Sequence, residues 1–335
     1  MSERISLAHG DGGELAHQLI QDVFVKNFGH QKEAQLDAAP LSLSKNEIAF
    51  TTDSFVVRPI FFPGGNIGKL AVAGTVNDLA VTGAKPQYLT ASFIIEEGFL
   101  IKDLKIIVES MFQEAEKAGV KIVAGDTKVV ERGSADGLYI NTTGIGIFDS
   151  EEKRIKPDRI QEGDSVIISG TIGDHGIAIL SARGELGIQT DLLSDCASLN
   201  NMIQDVLHVS NHVKMMRDPT RGGLATTLVE ICEDFGVTIE IEESLILVKN
   251  QVHGASDILG FDPLYLANEG KIIFIVGKED EEKVLHALRQ HKEGKDACKI
   301  GSVTTTNKGQ LFLTTPIGSK RRLNRLVGML LPRIC

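Results

Sequence analysis

The chain has 335 residues, 42% of them hydrophobic, with 35 basic and 45 acidic side chains and a net charge of −10. That length accommodates about two domains with ordinary cores, and the acidic balance argues against general nucleic-acid binding, where phosphate neutralisation dominates affinity. Four cysteines (Cys196, Cys232, Cys298, Cys335) lack CxxC or metal-site spacing; with no secretory leader and no apolar run of membrane-spanning length, they indicate free thiols in a soluble cytoplasmic protein.

In chain order, His9-Gly10-Asp11-Gly12-Gly13 is a glycine-rich turn ahead of a helical pattern, Leu15, Leu19, Ile20, Val23 and Phe24. Such a loop either holds phosphate oxygens on its backbone N–H groups or is a plain N-terminal turn. Glu47 to Phe55 reads as a strand with Asp53 near its end. Phe61-Phe62-Pro63-Gly64-Gly65 breaks the chain, and Asn66 caps a predicted helix from Ile67 to Val81. Ala71, Ala73, Gly74 and Ala80 let neighbours approach that helix closely. Asn77 and Asp78 interrupt its apolar run: they are either functional or a satisfied polar pair, because an unpaired buried carboxylate costs several kcal/mol. Gly64 to Lys69 approaches a Walker A loop, but its glycines stand too close together and Leu70 replaces the Ser or Thr.

Tyr88 to Ile95 predicts a strand, and Lys102 to Ala118 an amphipathic helix stopped by Gly119. Val120 to Ala124 predicts a buried strand with Gly125-Asp126-Thr127-Lys128 at its end, a position that suits a metal-binding carboxylate. Gly137 to Phe148 adds a strand. A charged linker at 149–163 separates this α+β unit from a second one. There, Asp164 to Ser169 predicts a strand, followed by helices to Arg183 and over 198–212. Arg217-Asp218-Pro219-Thr220-Arg221-Gly222-Gly223 opens a helical pattern closed by Gly236. It either holds an anion with its metal or is an Asp-Pro turn with a cap. Asn268-Glu269-Gly270-Lys271 precedes a strand, Ile272 to Val276. A helix (279–291) and strands at 297–304 and 310–314 follow. Ser319 to Val327, with Lys320, Arg321, Arg322 and Arg325, predicts a short basic helix, either a solvated face or a patch for an acidic partner. The sequence ends Pro332-Arg333-Ile334-Cys335. Pro332 favours an extended segment that could carry a terminal thiol.

Taken together, HGDGG, TTDSFVV, GTVNDLAVTGAKP, AGDTKVV, RDPTRGG, ANEGK and PRIC occur in an order that resembles the HypE family of hydrogenase-maturation proteins. That family lies within the aminoimidazole ribonucleotide synthetase-like ATP-binding superfamily. The resemblance spans nearly the whole chain, and the PRIC ending separates this branch from relatives without a carrier cysteine.

The resemblance implies an α+β fold of two domains: an N-terminal ATP-binding domain (1–155) dimerising through a β-barrel-like interface, an α+β domain (156–318), and a flexible tail (319–335). ATP would lie between the domains, against Gly12, Gly13, Thr127 and Arg221, with Mg²⁺ held by Asp53, Asp78, Asp126 and Asp218. Magnesium favours hard oxygen ligands, so carboxylates around a triphosphate are chemically sensible. A carbamoyl group from the carbamoyltransferase HypF would load Cys335. ATP-dependent dehydration would convert it to a thiocyanate, and the cyanide would pass to iron on the HypC–HypD scaffold of the nickel–iron hydrogenase. Lys128 and Glu269 are the candidates for orienting the carbamoyl group and accepting its protons. Two alternatives stay open: a superfamily enzyme phosphorylating the amide or carbonyl oxygen of a free small molecule, and a non-catalytic docking protein.

Overall fold

The computed structural model describes residues 13–19, 21, 39–43, 46–150, 153–184, 187, 190–305 and 308–327. A short helix, α1 (Glu14–Leu19), is followed by β1 (Ala39–Leu43) and β2 (Asn46–Phe55). A two-residue ribbon, β3 (Phe61–Phe62) with β4 (Gly65–Asn66), delivers the chain into helix α2 (Ile67–Val81). Asn66 starts that helix, its side-chain oxygen accepting the N–H groups of Gly68 and Lys69, a cap worth about 1 kcal/mol. Strand β5 (Lys85–Glu96), helix α3 (Ile101–Ala118), β6 (Lys121–Val130) and β7 (Leu138–Ile147) complete this half. Gly119 ends α3 in the left-handed region, φ 71°, where a glycine pays no Cβ penalty.

The first sheet has the order β1-β2-β7-β5-β6; only β5 and β6 run parallel. Side chains alternate across it. Ala49, Thr51, Asp53 and Phe55 point towards α2, whereas Phe50, Thr52 and Ser54 point away from the helices. Helix α2 is buried on nearly every side, as expected of an apolar helix with no polar face. Gly74 leaves room for the Phe55 ring, which a Cβ there would meet at 2.9 Å.

The second half supplies β8 (Ser165–Ile168), α4 (Asp174–Arg183), α5 (Asn200–Val209), β9 (Val213–Arg217), α6 (Gly223–Phe235), β10 (Thr238–Glu242) and α7 (Asn250–Leu259). Then come β11 (Ile273–Val276), α8 (Glu281–Arg289), β12 (Cys298–Thr305), β13 (Gln310–Thr314) and β14 (Lys320–Leu323). Its sheet runs β14-β13-β10-β12-β8-β11-β9. Strands β8 and β11 are buried along their whole length, which explains their unbroken apolar sequences.

The two halves are cemented by a segment running from Thr190 into α5. Asn77 donates to Ala197 O (3.0 Å) and accepts from the Leu199 N–H (2.8 Å). Ser198 N–H donates to Glu114 Oε1 at 2.7 Å, and Asn200 donates to Ala118 O at 2.8 Å. Leu192, Cys196 and Leu266 pack into the same core cluster as Leu70 and Ile107. Among the described residues, no helix is long and apolar enough to cross a membrane.

Three expectations need correction. The segment after Val120 is not a buried strand ending before Asp126. Strand β6 continues through Asp126 to Val130 and is exposed, because it forms the sheet edge. Residues 319–327 are not a helix: a turn at Gly318 (φ 82°) folds Lys320–Leu323 back as an antiparallel strand on β13. The tail predicted over 319–335 therefore begins as part of the second sheet, and its basic residues mark an edge strand. Lys320 pairs with Glu240 and Arg321 with Asp262, and charged side chains of this kind blunt an edge against further pairing. Strands β9 and β10 and helix α7 were not anticipated. The first is short and follows directly on a helix. The last two are separated by only a few residues and carry no glycine or proline punctuation between them.

Candidate active site

Asn268 fixes the local geometry. Its side-chain oxygen accepts the Gly173 N–H at 2.7 Å, and its amide donates to Pro219 O and Leu266 O, each at 3.0 Å. One side chain thus ties the loop before α4 to the Asp218-Pro219 turn. The next residue, Glu269, donates its backbone N–H to Asp195 Oδ1 at 3.1 Å and accepts from Ala197 N–H at 3.2 Å. Gly270 permits this approach, since a Cβ there would overlap the Asp195 carbonyl. Lys271 Nζ lies 3.2 Å from Asp195 Oδ2.

The Glu269 side chain is 4% exposed, and its Oε1 has no hydrogen-bond partner. Burial pushes its carboxyl well above the ordinary carboxylate range; the charges of Asp218, Asp195 and Asp53 push the same way, and Arg221 opposes them. Asp53, reaching in from the first sheet, is also raised, chiefly by burial against the pull of Arg221 and the Ser54 N–H. For Asp195, burial is outweighed by Lys271, His175 and its hydrogen bonds, so its carboxyl is lowered. Glu269 therefore senses the charges of Asp53, Asp218 and Arg221 at the junction of the two halves, and Asp53 that of Arg221. Carboxylates that raise one another's proton affinity beside one arginine are an arrangement that a cation would relieve.

The 217–223 turn needs both its glycines. Gly222 and Gly223 have φ 80° and 65°, and a Cβ on Gly223 would sit 2.6 Å from Leu266 O. Asp218 is buried and Arg221 exposed. The turn delivers the chain to the N-terminus of α6, an end whose dipole favours an anion. Asp78 is half-buried and accepts from Thr51 Oγ1 at 3.2 Å. Thr51 and Asp53 are successive inward positions of β2, roughly 7 Å apart, so Asp78 flanks the same strip.

Asp126, Thr127 and Lys128 lie elsewhere. Asp53 pairs in register with Thr142, Ala91 and Gly125, three strand steps or roughly 14 Å away. Asp126 shares its row with Ser92, Asn141 and Ser54, on the sheet face turned from the helices. Its carboxylate is exposed and bonded to Lys128 Nζ at 2.6 Å, the main cause of its lowered carboxyl, helped by the Thr127 N–H. Gly12 and Cys335 lie outside the described residues. Gly13 is buried, and the following Glu14 N–H donates to Leu326 O at 3.0 Å.

Sequence reasoning missed Asp195 and His175. Asp195 sits in a loop without a motif, and only the need for glycine at position 270 hints that another backbone passes there. His175 bonds Ser194 Oγ at 2.8 Å and meets the Phe62 ring edge-on. Among the described residues, no three His, Cys, Asp or Glu side chains are grouped so as to hold a metal ion alone.

Residues 35–148 match the profile of the AIR synthase related protein N-terminal domain, and 161–314 that of its C-terminal domain. Carbamoyl dehydratase HypE of Rhodobacter capsulatus is 46% identical over 99% of this chain and 98% of its own length. The crystal structure of a HypE–HypF complex superposes with a TM-score of 0.86 at 49% identity, covering 92% of this chain and 99% of that one. HypE in complex with ATP gives 0.82 at 45%, covering 99% and 100%. The chain belongs to the AIR synthase related proteins and, within them, to the HypE carbamoyl dehydratase family.

Proposed function

We propose that this protein is an ATP-dependent carbamoyl dehydratase that converts an S-carbamoyl group on Cys335 to a thiocyanate, supplying the cyanide ligand for hydrogenase iron. The observation that carries the reading is the buried Glu269 carboxyl, its Oε1 without a hydrogen-bond partner, set among Asp53, Asp218 and Arg221. In the reaction, the carbamoyl oxygen attacks the terminal phosphorus of ATP, ADP leaves, and the nitrogen gives up one proton. The C–O bond then breaks, phosphate departs with its electron pair, and loss of the second N–H proton completes the C≡N bond. Arg221 offsets charge on the transferred phosphoryl group. Glu269 accepts protons, a role suited to a carboxyl whose affinity for them is raised by burial.

Asp53 and Asp218, with Asp78 beside them, would hold Mg²⁺. The crowding of carboxylates fits a cation, and the absence of a protein-only cage among the described residues fits an ion bound largely by phosphates. The bound ion would neutralise triphosphate charge. Gly13 and the α6 N-terminus would face the phosphates.

Asp126 and Lys128, on the outward sheet face, would reach a cleft through a second copy, with Thr127 between them in sequence. The outward sheet face favours such a homodimer: Phe50, Ile145 and Tyr88 form one row across three strands, with Ile147 two residues from it and Ile94 further along β5 on the same face. Lys128 is then the group that orients the carbamoyl. We divide the chain into an N-terminal domain over 1–155 and a second domain from 156 through β14 (Lys320–Leu323). HypF as carbamoyl donor, HypC–HypD as acceptor and a cytoplasmic setting complete the reading. An isotope experiment tests it: oxygen-18 placed in the carbamoyl group should appear in the released phosphate. Appearance in water instead would contradict it.

A further inference from the structure

We propose that Arg325 is the anchor of the carrier arm, so that the arm is counted from residue 327 rather than from the end of the sheet. The proposal rests on the carrier role of Cys335 and deepens it. Leu323 is buried at the end of β14 and pairs with Leu311. The three residues after it are each held. Asn324 O accepts from Tyr265 Oη at 2.9 Å. Arg325 is buried and lies across two carboxylates of α6: Nη1 to Glu230 Oε1 at 3.1 Å, and Nε to Glu233 Oε2 at 2.8 Å. Leu326 N–H donates to Thr226 Oγ1 at 3.4 Å, and Leu326 O accepts from Glu14 N–H at 3.0 Å. Val327 is 79% exposed. A buried guanidinium forked between two carboxylates resists removal far more than a surface pair, because freeing it leaves charges without partners.

The anchor also has a direction. Thr226 lies in the first turn of α6, against Gly222 of the 217–223 turn, where a Cβ would be 2.6 Å from Thr226 Cβ. Glu230, which takes one side of Arg325, holds Arg217 with its other oxygen at 3.4 Å. The start of the arm is therefore fixed beside the turn that carries Asp218 and Arg221. From Val327 to Cys335 the nine residues span at most roughly 30 Å. Were the anchor absent, the arm would begin after Leu323 with twelve residues. The chance that a chain's end returns to a given point falls as about the 3/2 power of its length, so Arg325→Ala alone should slow intramolecular dehydration by only about 1.5-fold.

The decisive experiment compares two insertions of the same twelve-residue Gly-Ser segment in the full chain, loaded by the carbamoyl donor system and followed in a single turnover with ATP. Placed after Val327, the insertion should slow dehydration about three- to fourfold. Placed between Leu323 and Asn324, it should leave the rate unchanged, because the anchor re-forms downstream. In the Arg325→Ala background the upstream insertion should also slow the reaction, by about threefold. Equal slowing by both insertions in the chain that keeps Arg325 would overturn the anchor. Amide hydrogen exchange gives an independent reading: the Leu326 N–H should be protected in the unaltered protein and unprotected in Arg325→Ala. Free exchange in both would also overturn it. Failure of the carrier reading looks different, since the unaltered chain would then not dehydrate its own tail at all.

Discussion

Replacing Glu269 by Gln should make the protein more stable as pH rises, while removing its activity. Folding buries this carboxyl and raises its pKa from the ordinary 4.5. Above pH 4.5 the unfolded chain releases a proton that the folded chain keeps, so the group's contribution to stability falls as pH rises towards the folded value. One bound proton of difference corresponds to about 1.4 kcal/mol per pH unit. Glutamine keeps the shape and has no proton to lose. Urea unfolding of both proteins at several pH values between 4 and 8 should therefore show a gap that opens with pH at up to that slope, in favour of the glutamine form. A gap that does not change with pH would refute the assignment of a raised carboxyl at Glu269. The same variant should bind ATP yet fail to release phosphate from the carbamoyl-loaded chain.

Other consequences follow from the same contacts. Asn77→Ala should destabilise the protein by about 2–4 kcal/mol, since it strands Ala197 O and the Leu199 N–H inside the inter-domain contact; denaturant titration measures this. Gly223→Ala places a methyl group 2.6 Å from Leu266 O at a positive φ, so it should cost about 2–4 kcal/mol and weaken ATP binding in calorimetry. Tyr88→Glu on the outward sheet face should convert a dimer to a monomer in sedimentation with the fold intact by circular dichroism. An unchanged sedimentation coefficient would remove that face from the interface.

The parts of the fold set by local chemistry were legible in the sequence. Asn66, the small residues of α2 and the stops at Gly119 and Gly236 act within a few residues of themselves, and their helices match the expectation closely. The site was legible where a motif carried its own geometry, as in 217–223 and 268–271. What the sequence hid depends on neighbours distant in the chain. Asp195 gains its role only because Lys271 and the Glu269 N–H come to it. Strand β6 reads as buried because its apolar residues resemble core, yet it lies at a sheet edge with Val123 and Val129 exposed. Residues 320–323 look helical in composition and become a strand because β13 offers an edge to pair with.

The account stands on the Cys335 thiol being serviced by the cleft of its own protein. Intact-mass spectrometry of the purified chain tests this most directly, after incubation with the carbamoyl donor system and then with ATP. The mass should rise by one carbamoyl group and then fall by one water, with both changes absent from Cys335→Ala while that variant still binds ATP. A carbamoylated chain whose mass stays constant while ATP is consumed, or a Cys335→Ala chain that gains and loses the same groups, would contradict it.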